Sequence, residues 1–220
     1  MESNFTYRTI NPHIEEDFQN FLDIRKQLDI HLNKKVVTFT EEQIKWFRIR
    51  MGAIELLPKH QQQGEYALGL LKKPDEICIV CQDNDDVVGF VYVNTYNVKN
   101  GERTNDDVGV ISDIFVKEKY RNSGIAFKLL QMGVDKLIEH GKFKALCNVQ
   151  EDNKQRFLHF AMADGNVISI GECKRKDGST TKDYTLLIDL KKLKNTTQKE
   201  LGFKALKYKR EYDAKQNLNF

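Results

Sequence analysis

Twenty residues near the middle of the chain, Ile111 to Leu130, constrain the fold more than any others. The stretch opens as an apolar, β-branched run, Ile111-Ser112-Asp113-Ile114-Phe115-Val116, which predicts a strand. A polar segment from Lys117 to Ser123 follows. Apolar residues then recur at helical spacing (Ile125, Phe127, Leu129, Leu130, Val134, Leu137, Ile138), and His140-Gly141 supplies a stop. A strand that passes through a basic turn ending in glycine into a helix presents a concave row of backbone N–H groups. The positive end of the helix dipole faces into the same concavity, so its natural guest is a phosphate or diphosphate.

Spacing narrows the choice of guest. Neither Gly-x-x-x-x-Gly-Lys-Ser/Thr nor Gly-x-Gly-x-x-Gly after a strand occurs, which argues against a nucleotide P-loop and a dinucleotide fold. The motif that does occur is Arg121-x-x-Gly124-x-Ala126, with the strand before it and the helix after it. It resembles the Arg/Gln-x-x-Gly-x-Gly/Ala signature of the GCN5-related N-acetyltransferase (GNAT) superfamily. A second block supports the likeness: a strand from Ala145 to Gln150, then Asn153, a helical stretch from Gln155 to Ala163, and Asp164-Gly165-Asn166. This is similar to the family's Asn-x-x-Ala…Tyr…Gly-Phe block. It departs from that pattern at Arg156, at Phe160 where the Tyr is usual, and at Asn166-Val167 in place of the aromatic ending.

The resemblance spans about Phe5 to Leu190 and implies a mixed α/β fold. Its central sheet would have six to seven mostly antiparallel strands, flanked by helices and splayed at the central strand. It implies acetyl-CoA as co-substrate and no metal. Main-chain groups of Arg121, Asn122, Ser123, Gly124, Ile125 and Ala126 would surround the diphosphate. Ile114, Phe115 and Val116 would lie along the pantetheine, the N–H of Val116 would polarise the thioester carbonyl, and Asn153 and Phe160 would contribute from the following helix. For the proton step Asp113 is the first candidate base, with His159 and Asp107 behind it. Phe160 cannot donate a proton, so the thiolate would take one from another Tyr or from water, or leave unassisted.

Read in order, Phe5 to Ile10 is a first strand, and Ile14, Phe18, Phe21, Leu22, Leu28 and Leu32 mark an amphipathic helix. Thr40-x-x-Gln43 is a capping box opening a second helix with Ile44, Phe47, Met51 and Ile54 on its apolar face, while Trp46 falls off that stripe. Residues 61–71 read as an insertion. Ile77 to Gln82 and Val87 to Val93 form a hairpin around Asp83-Asn84-Asp85-Asp86, whose second strand runs on towards Val98; the polar residues that follow, up to Asp107, read as a loop. Val167 to Lys174 and Tyr184 to Leu190 form a last hairpin around Asp177-Gly178.

At 220 residues the chain fits one acetyltransferase domain over residues 1–190 and a basic amphipathic tail over 191–220. The tail carries nine Lys/Arg against three Asp/Glu, a charge of +6 that leaves −3 of the chain's total of +3 on the domain. It reads first as a solvated appendage or packing strut. A homodimer-forming arm and a nucleic-acid contact are lesser readings. No run of 18 apolar residues suggests a membrane span, and the first residues do not read as a secretory leader. Cys78-x-x-Cys81 has no second pair and sits in an apolar strand, so Cys78, Cys81, Cys147 and Cys173 read as free thiols, and a cytoplasmic location follows by default. The expected activity is acetyl transfer from acetyl-CoA to a primary amine on a protein or a small molecule, and the acidic domain would attract cationic acceptors. The alternatives are a catalytically silent relative that binds CoA or a partner, and an enzyme that transfers a longer acyl group.

Overall fold

A computed structural model describes residues 5–32, 38–57, 59, 75–99, 102–104, 106–150 and 166–196. Seven strands form one sheet: β1 (Phe5–Thr9), β2 (Glu76–Asp83), β3 (Asp86–Asn94), β6 (Val108–Val116), β7 (Lys144–Gln150), β8 (Asn166–Lys174) and β9 (Thr180–Asp189). Their order across the sheet is β1-β2-β3-β6-β7-β9-β8, and every neighbouring pair is antiparallel except β6 and β7. This is the mixed, mostly antiparallel sheet expected from the sequence.

Helices α1 (Glu15–His31) and α2 (Glu41–Arg50) belong to one face of the sheet, and α3 (Ile125–Glu139) and α4 (Leu190–Asn195) to the other. Thr40 closes the capping box at the start of α2, with its side chain accepting from the Gln43 N–H and the Gln43 side chain accepting from the Thr40 N–H. Phe18, Phe21, Leu22, Ile24 and Leu28 of α1 pack on Cys78, Val80, Phe90, Tyr92 and Phe115. On the other face Ile125, Leu129, Leu130, Val134 and Leu137 of α3 pack on Ile77, Ile79, Val91, Val93 and Ile111. Gly133 lets α3 run close to β3, because a Cβ there would lie 3.1 Å from Val93 Cγ1 and 3.2 Å from Val91 Cγ2. The helix stops at Gly141 (φ 74°), where the Lys142 N–H reaches back to the Leu137 carbonyl at 3.0 Å.

Two departures from the sequence reading lie near the middle of the chain. The second hairpin strand ends at Asn94, and a separate ribbon follows, β4 (Asn97–Lys99) paired with β5 (Glu102–Thr104), where a loop was expected. The residues between are held by buried polar contacts rather than apolar periodicity, with the Thr95 N–H on the Asp75 carbonyl at 2.8 Å and the Tyr96 hydroxyl on Glu76 at 2.8 Å. At the end of the sheet, Leu190 and Leu193 of α4 are buried and Lys194 pairs with Asp135 of α3 at 2.8 Å. Residues 190–195 are therefore docked on the domain, and residues 197–220 lie outside the described part.

Cys78 and Cys81 belong to opposite faces of β2, one packed under α1 and the other under α3. Burial pushes the Cys78 thiol well above the ordinary thiol range and raises Cys81 as well. None of the four cysteines is joined in a disulfide. Among the described residues no helix is long and apolar enough to cross a membrane.

Candidate functional site

The site begins with the way β6 leaves its neighbour. The two parallel strands pair only over Val108↔Lys144, Gly109↔Ala145 and Val110↔Leu146. Beyond Val110 they separate: β6 continues against β3, while Cys147 to Gln150 of β7 pair only with β9. A wedge-shaped gap opens between Ile111–Val116 and the far half of β7.

Which main-chain groups face that gap follows from strand alternation. The Lys117 N–H donates to the Val88 carbonyl at 2.9 Å, so Lys117 faces β3. Successive residues alternate direction, so Val116 and Ile114 aim their N–H and C=O groups away from β3, into the gap. Side chains are re-aimed by a bulge: Tyr92↔Asp113 is followed by Val93↔Ile111, which leaves Ser112 as an extra residue. The bulge shifts the phase by one. Ile111, Ile114 and Val116 turn towards α3, while Phe115 packs under α1 and Asp113 pairs with an α1 side chain.

At the end of β6 the chain makes one 3-10 turn, Glu118–Tyr120, then bends through Asn122 (φ 64°) and Gly124 (φ 85°) into α3. Both are left-handed, which glycine accepts freely and asparagine better than most other residues. The first α3 bond in the chain runs from the Lys128 N–H to the Gly124 carbonyl, and no side chain caps the helix. The N–H groups of Asn122, Ser123, Gly124, Ile125, Ala126 and Phe127 thus meet no acceptor among the described residues.

The elbow is braced from three sides. The Tyr120 hydroxyl donates to Asp83 at 2.9 Å, Lys117 pairs with Asp86 at 2.6 Å, and the Ser123 hydroxyl donates to the Tyr120 carbonyl at 2.6 Å. Arg121 turns inward, with Nε on the Val116 carbonyl at 3.2 Å and Nη2 at 3.4 Å from the His31 ring. His31, at the end of α1, also lies 6.0 Å from the Phe115 ring. Burial and the Arg121 charge hold its pKa below the usual histidine value, against the opposing pull of Glu118.

Six residues earlier on α1, Arg25 reaches Asp113. Its Nη1 lies 2.7 Å from Oδ2, and the guanidinium sits 5.9 Å from the centre of the Tyr92 ring. Helix α1 therefore runs alongside β6, from Asp113 to the elbow. Next to Tyr92 lies a carboxylate with only 3% of its surface exposed, Glu76, which accepts from the Tyr92 and Tyr96 hydroxyls and pairs with Arg50 at 2.7 Å. Burial and the Glu76 charge push the Tyr92 hydroxyl well above its ordinary pKa.

Of the residues assigned from the sequence, the structure brings together Asp113, Ile114, Phe115, Val116 and Arg121 to Ala126 on one strand–elbow–helix unit. Asn153, His159 and Phe160 lie outside the described residues. Asp107 stands at the other end of β6, 3.7 Å from Lys144. Sequence reasoning missed Arg25, although a signal existed: it is a cation four residues after Phe21 and three before Leu28, spacing that puts it on the sheet-facing side of an amphipathic helix. It also read the Asp83–Asp86 tetrad as a solvated turn, whereas two of those carboxylates hold the elbow. Among the described residues no group of three or more His, Cys, Asp or Glu side chains is placed to hold a metal ion.

A sheet splayed at one parallel pair, with a helix springing from the splayed strand through an elbow whose amides meet no acceptor among the described residues, is the fold of the acetyltransferase (GNAT) class. The chain belongs to the acetyltransferase (GNAT) family, whose sequence model matches residues 38–160. Solved structures agree on the fold. An acetyltransferase of the GNAT family from Streptococcus pneumoniae superposes with a TM-score of 0.61 at 14% identity, over 84% of this chain and 98% of that one. An N-acetyltransferase from Staphylococcus aureus Mu50 gives 0.57 at 18% identity, over 86% and 99%. A Salmonella typhimurium protein described as an acetyltransferase, with its cofactor acetyl-CoA, gives 0.57 at 15% identity, over 84% and 94%. No curated protein sequence matches significantly.

Proposed function

We propose that this chain binds acetyl-CoA at the β6–α3 elbow and transfers the acetyl group to a primary amine by direct attack in a ternary complex. The observation that carries this reading is the row of N–H groups from Asn122 to Phe127, without acceptors and directed by two left-handed residues. Such a row, at the positive end of α3, suits a diphosphate and requires no particular side chain beyond small ones at positions 124 and 126. The cleft-facing groups of Ile114 and Val116 suit the pantetheine amides, paired as if by an added strand, and an N–H from the same edge would polarise a thioester carbonyl. Arg121 then acts mainly by bracing the end of β6, because its Nε is spent on the Val116 carbonyl. By the family pattern Asn153 would contribute to the coenzyme site from the following helix, and Phe160 would stand there in place of the usual Tyr.

When bound, acetyl-CoA would supply an activated acyl group on a thiol acidic enough for its thiolate to leave without a strong acid. The protein's own share is to hold that group beside the acceptor and to receive the proton the amine releases. Asp113, on the strand that carries the coenzyme-facing groups, remains the first candidate to accept from the amine, with His159 as the other.

Isothermal calorimetry with acetyl-CoA tests the reading. Wild-type protein binds, and Gly124→Glu lowers affinity by roughly a hundredfold or more, because it places a charged side chain in the row of amides at a residue whose φ disfavours any Cβ. Absence of binding, or equal binding by the variant, refutes it. One observation favours a second reading, a silent CoA-binding relative: Asp113 already has a cationic partner in Arg25. Release of free thiol from acetyl-CoA in the presence of an amine panel excludes that alternative.

A further inference from the structure

The Arg25–Asp113 pair is made end-on. One guanidinium nitrogen meets one carboxylate oxygen at 2.7 Å, and neither Arg25 Nε and Nη2 nor Asp113 Oδ1 has a partner among the described residues. Arginine frequently meets a carboxylate through two parallel bonds. Here the fork is left with unused N–H donors, and the pair keeps 25% and 17% of its side-chain surface exposed, so both groups can reach a small molecule.

The position of the pair matters as much as its geometry. Asp113 is next in the chain to Ile114, whose main-chain groups face the gap, and α1 runs from Arg25 at this level to His31 at the elbow. A coenzyme held by its diphosphate at the elbow and laid along Val116 and Ile114 would bring its acyl end to Asp113. Among the described residues, the charged side chains beside the reacting carbon are then one anion with a free oxygen and one cation with free donors, side by side.

We infer that Arg25 and Asp113 form the acceptor subsite, and that the acceptor is a small amine carrying a carboxylate close to its nitrogen, as in an α-amino acid. Asp113 Oδ1 accepts from the amine while the free edge of Arg25 takes the carboxylate. This rests on the acetyl-CoA reading above and sharpens its acceptor. A polyamine or a lysine side chain fits less well, because the charge of Asp113 is already balanced and the second cation would face Arg25. In the transfer step the amine lone pair forms the new N–C bond to the acetyl carbon, the C–S bond breaks, and the thiolate leaves as CoA. The amine proton passes to Asp113 or to water.

The test is thiol release from acetyl-CoA with matched acceptors: a set of α-amino acids, the same compounds as carboxamides, and spermidine. Calorimetry with acetyl-CoA is run on the same preparations. The expected result is a kcat/KM for the best amino acid roughly tenfold to a hundredfold above that of its carboxamide, the range a charge-assisted contact supplies. Arg25→Gln collapses that ratio towards one through KM, Arg25→Lys restores part of it, and both variants bind acetyl-CoA as wild type does. If acetyl-CoA binds but carboxamides or spermidine react as well as amino acids, or no amino acid reacts, this inference falls and the transferase reading stands apart from it. If acetyl-CoA does not bind at all, both fall. If Arg25→Gln keeps the ratio, the subsite lies elsewhere.

Discussion

The two faces of β6 solve different problems with different materials. Towards α3, Ile111, Ile114 and Val116 meet an apolar helix at close range, and the working groups are backbone amides that any sequence could supply. Towards α1, Asp113 and its neighbour Tyr92 meet charged side chains, Arg25 and Glu76, that only these residues could supply. One face fixes a shape, and the other sets a chemical preference. A family can therefore keep the first and vary the second, which is why fold likeness at 14% to 18% identity is silent about the acceptor.

The contrast breaks first where a buried charge is most exposed to loss. Glu76 accepts from two tyrosine hydroxyls and pairs with Arg50 from a site with almost no solvent, so Glu76→Ala takes this carboxylate away from the buried Tyr92 hydroxyl and the Arg50 guanidinium. Urea denaturation of the variant is expected to show a loss of about 3–5 kcal/mol. A cost under about 1 kcal/mol would mean that the polar network on this face is dispensable and that the two faces are less different than described.

The α3 face answers to volume instead. Gly133→Val inserts atoms where Val91 and Val93 already stand within 3.2 Å of the nearest added carbon. A destabilisation of about 1–3 kcal/mol is expected from overpacking, with acetyl-CoA affinity changed little in the fraction that folds, because position 133 lies two turns from the elbow. A neutral result would show that α3 can shift outward, and with it the row of amides.

The smallest effect concerns pH at the junction of the two faces. His31 has its pKa lowered by burial and by Arg121, so the unfolded chain takes up that proton more readily than the folded one. Its contribution is complete above about pH 6.5, the unfolded value, and declines as pH falls below it towards the lower folded value. NMR titration of the ring checks the direction, and Arg121→Gln is expected to move the midpoint upward. A midpoint that does not respond would place the guanidinium away from the ring.

The same contrast explains what could be read in the sequence. The elbow is local: a β-branched run, a glycine four residues past a tyrosine and a helical apolar period all lie within Ile111 to Leu130. The capping box at Thr40 and the turn at Asp83–Asp86 were legible for the same reason. Arg25 and Asp113 are 88 residues apart, and no pattern of spacing joins them. The bulge at Ser112 left no mark either, because a one-residue insertion inside an apolar run changes the phase without changing the composition. The β4–β5 ribbon was read as a loop because polar contacts at Thr95 and Tyr96, rather than a hydrophobic alternation, set where it begins.

The anchoring of Tyr120 and Lys117 on the β2–β3 hairpin turn has a thermodynamic corollary. A clasp already stiffened by ties to a rigid ribbon surrenders little freedom when a ligand enters, so more of the attraction survives as affinity. Those tethers belong to the domain's own architecture, and the cost of order is met at folding, long before any coenzyme arrives.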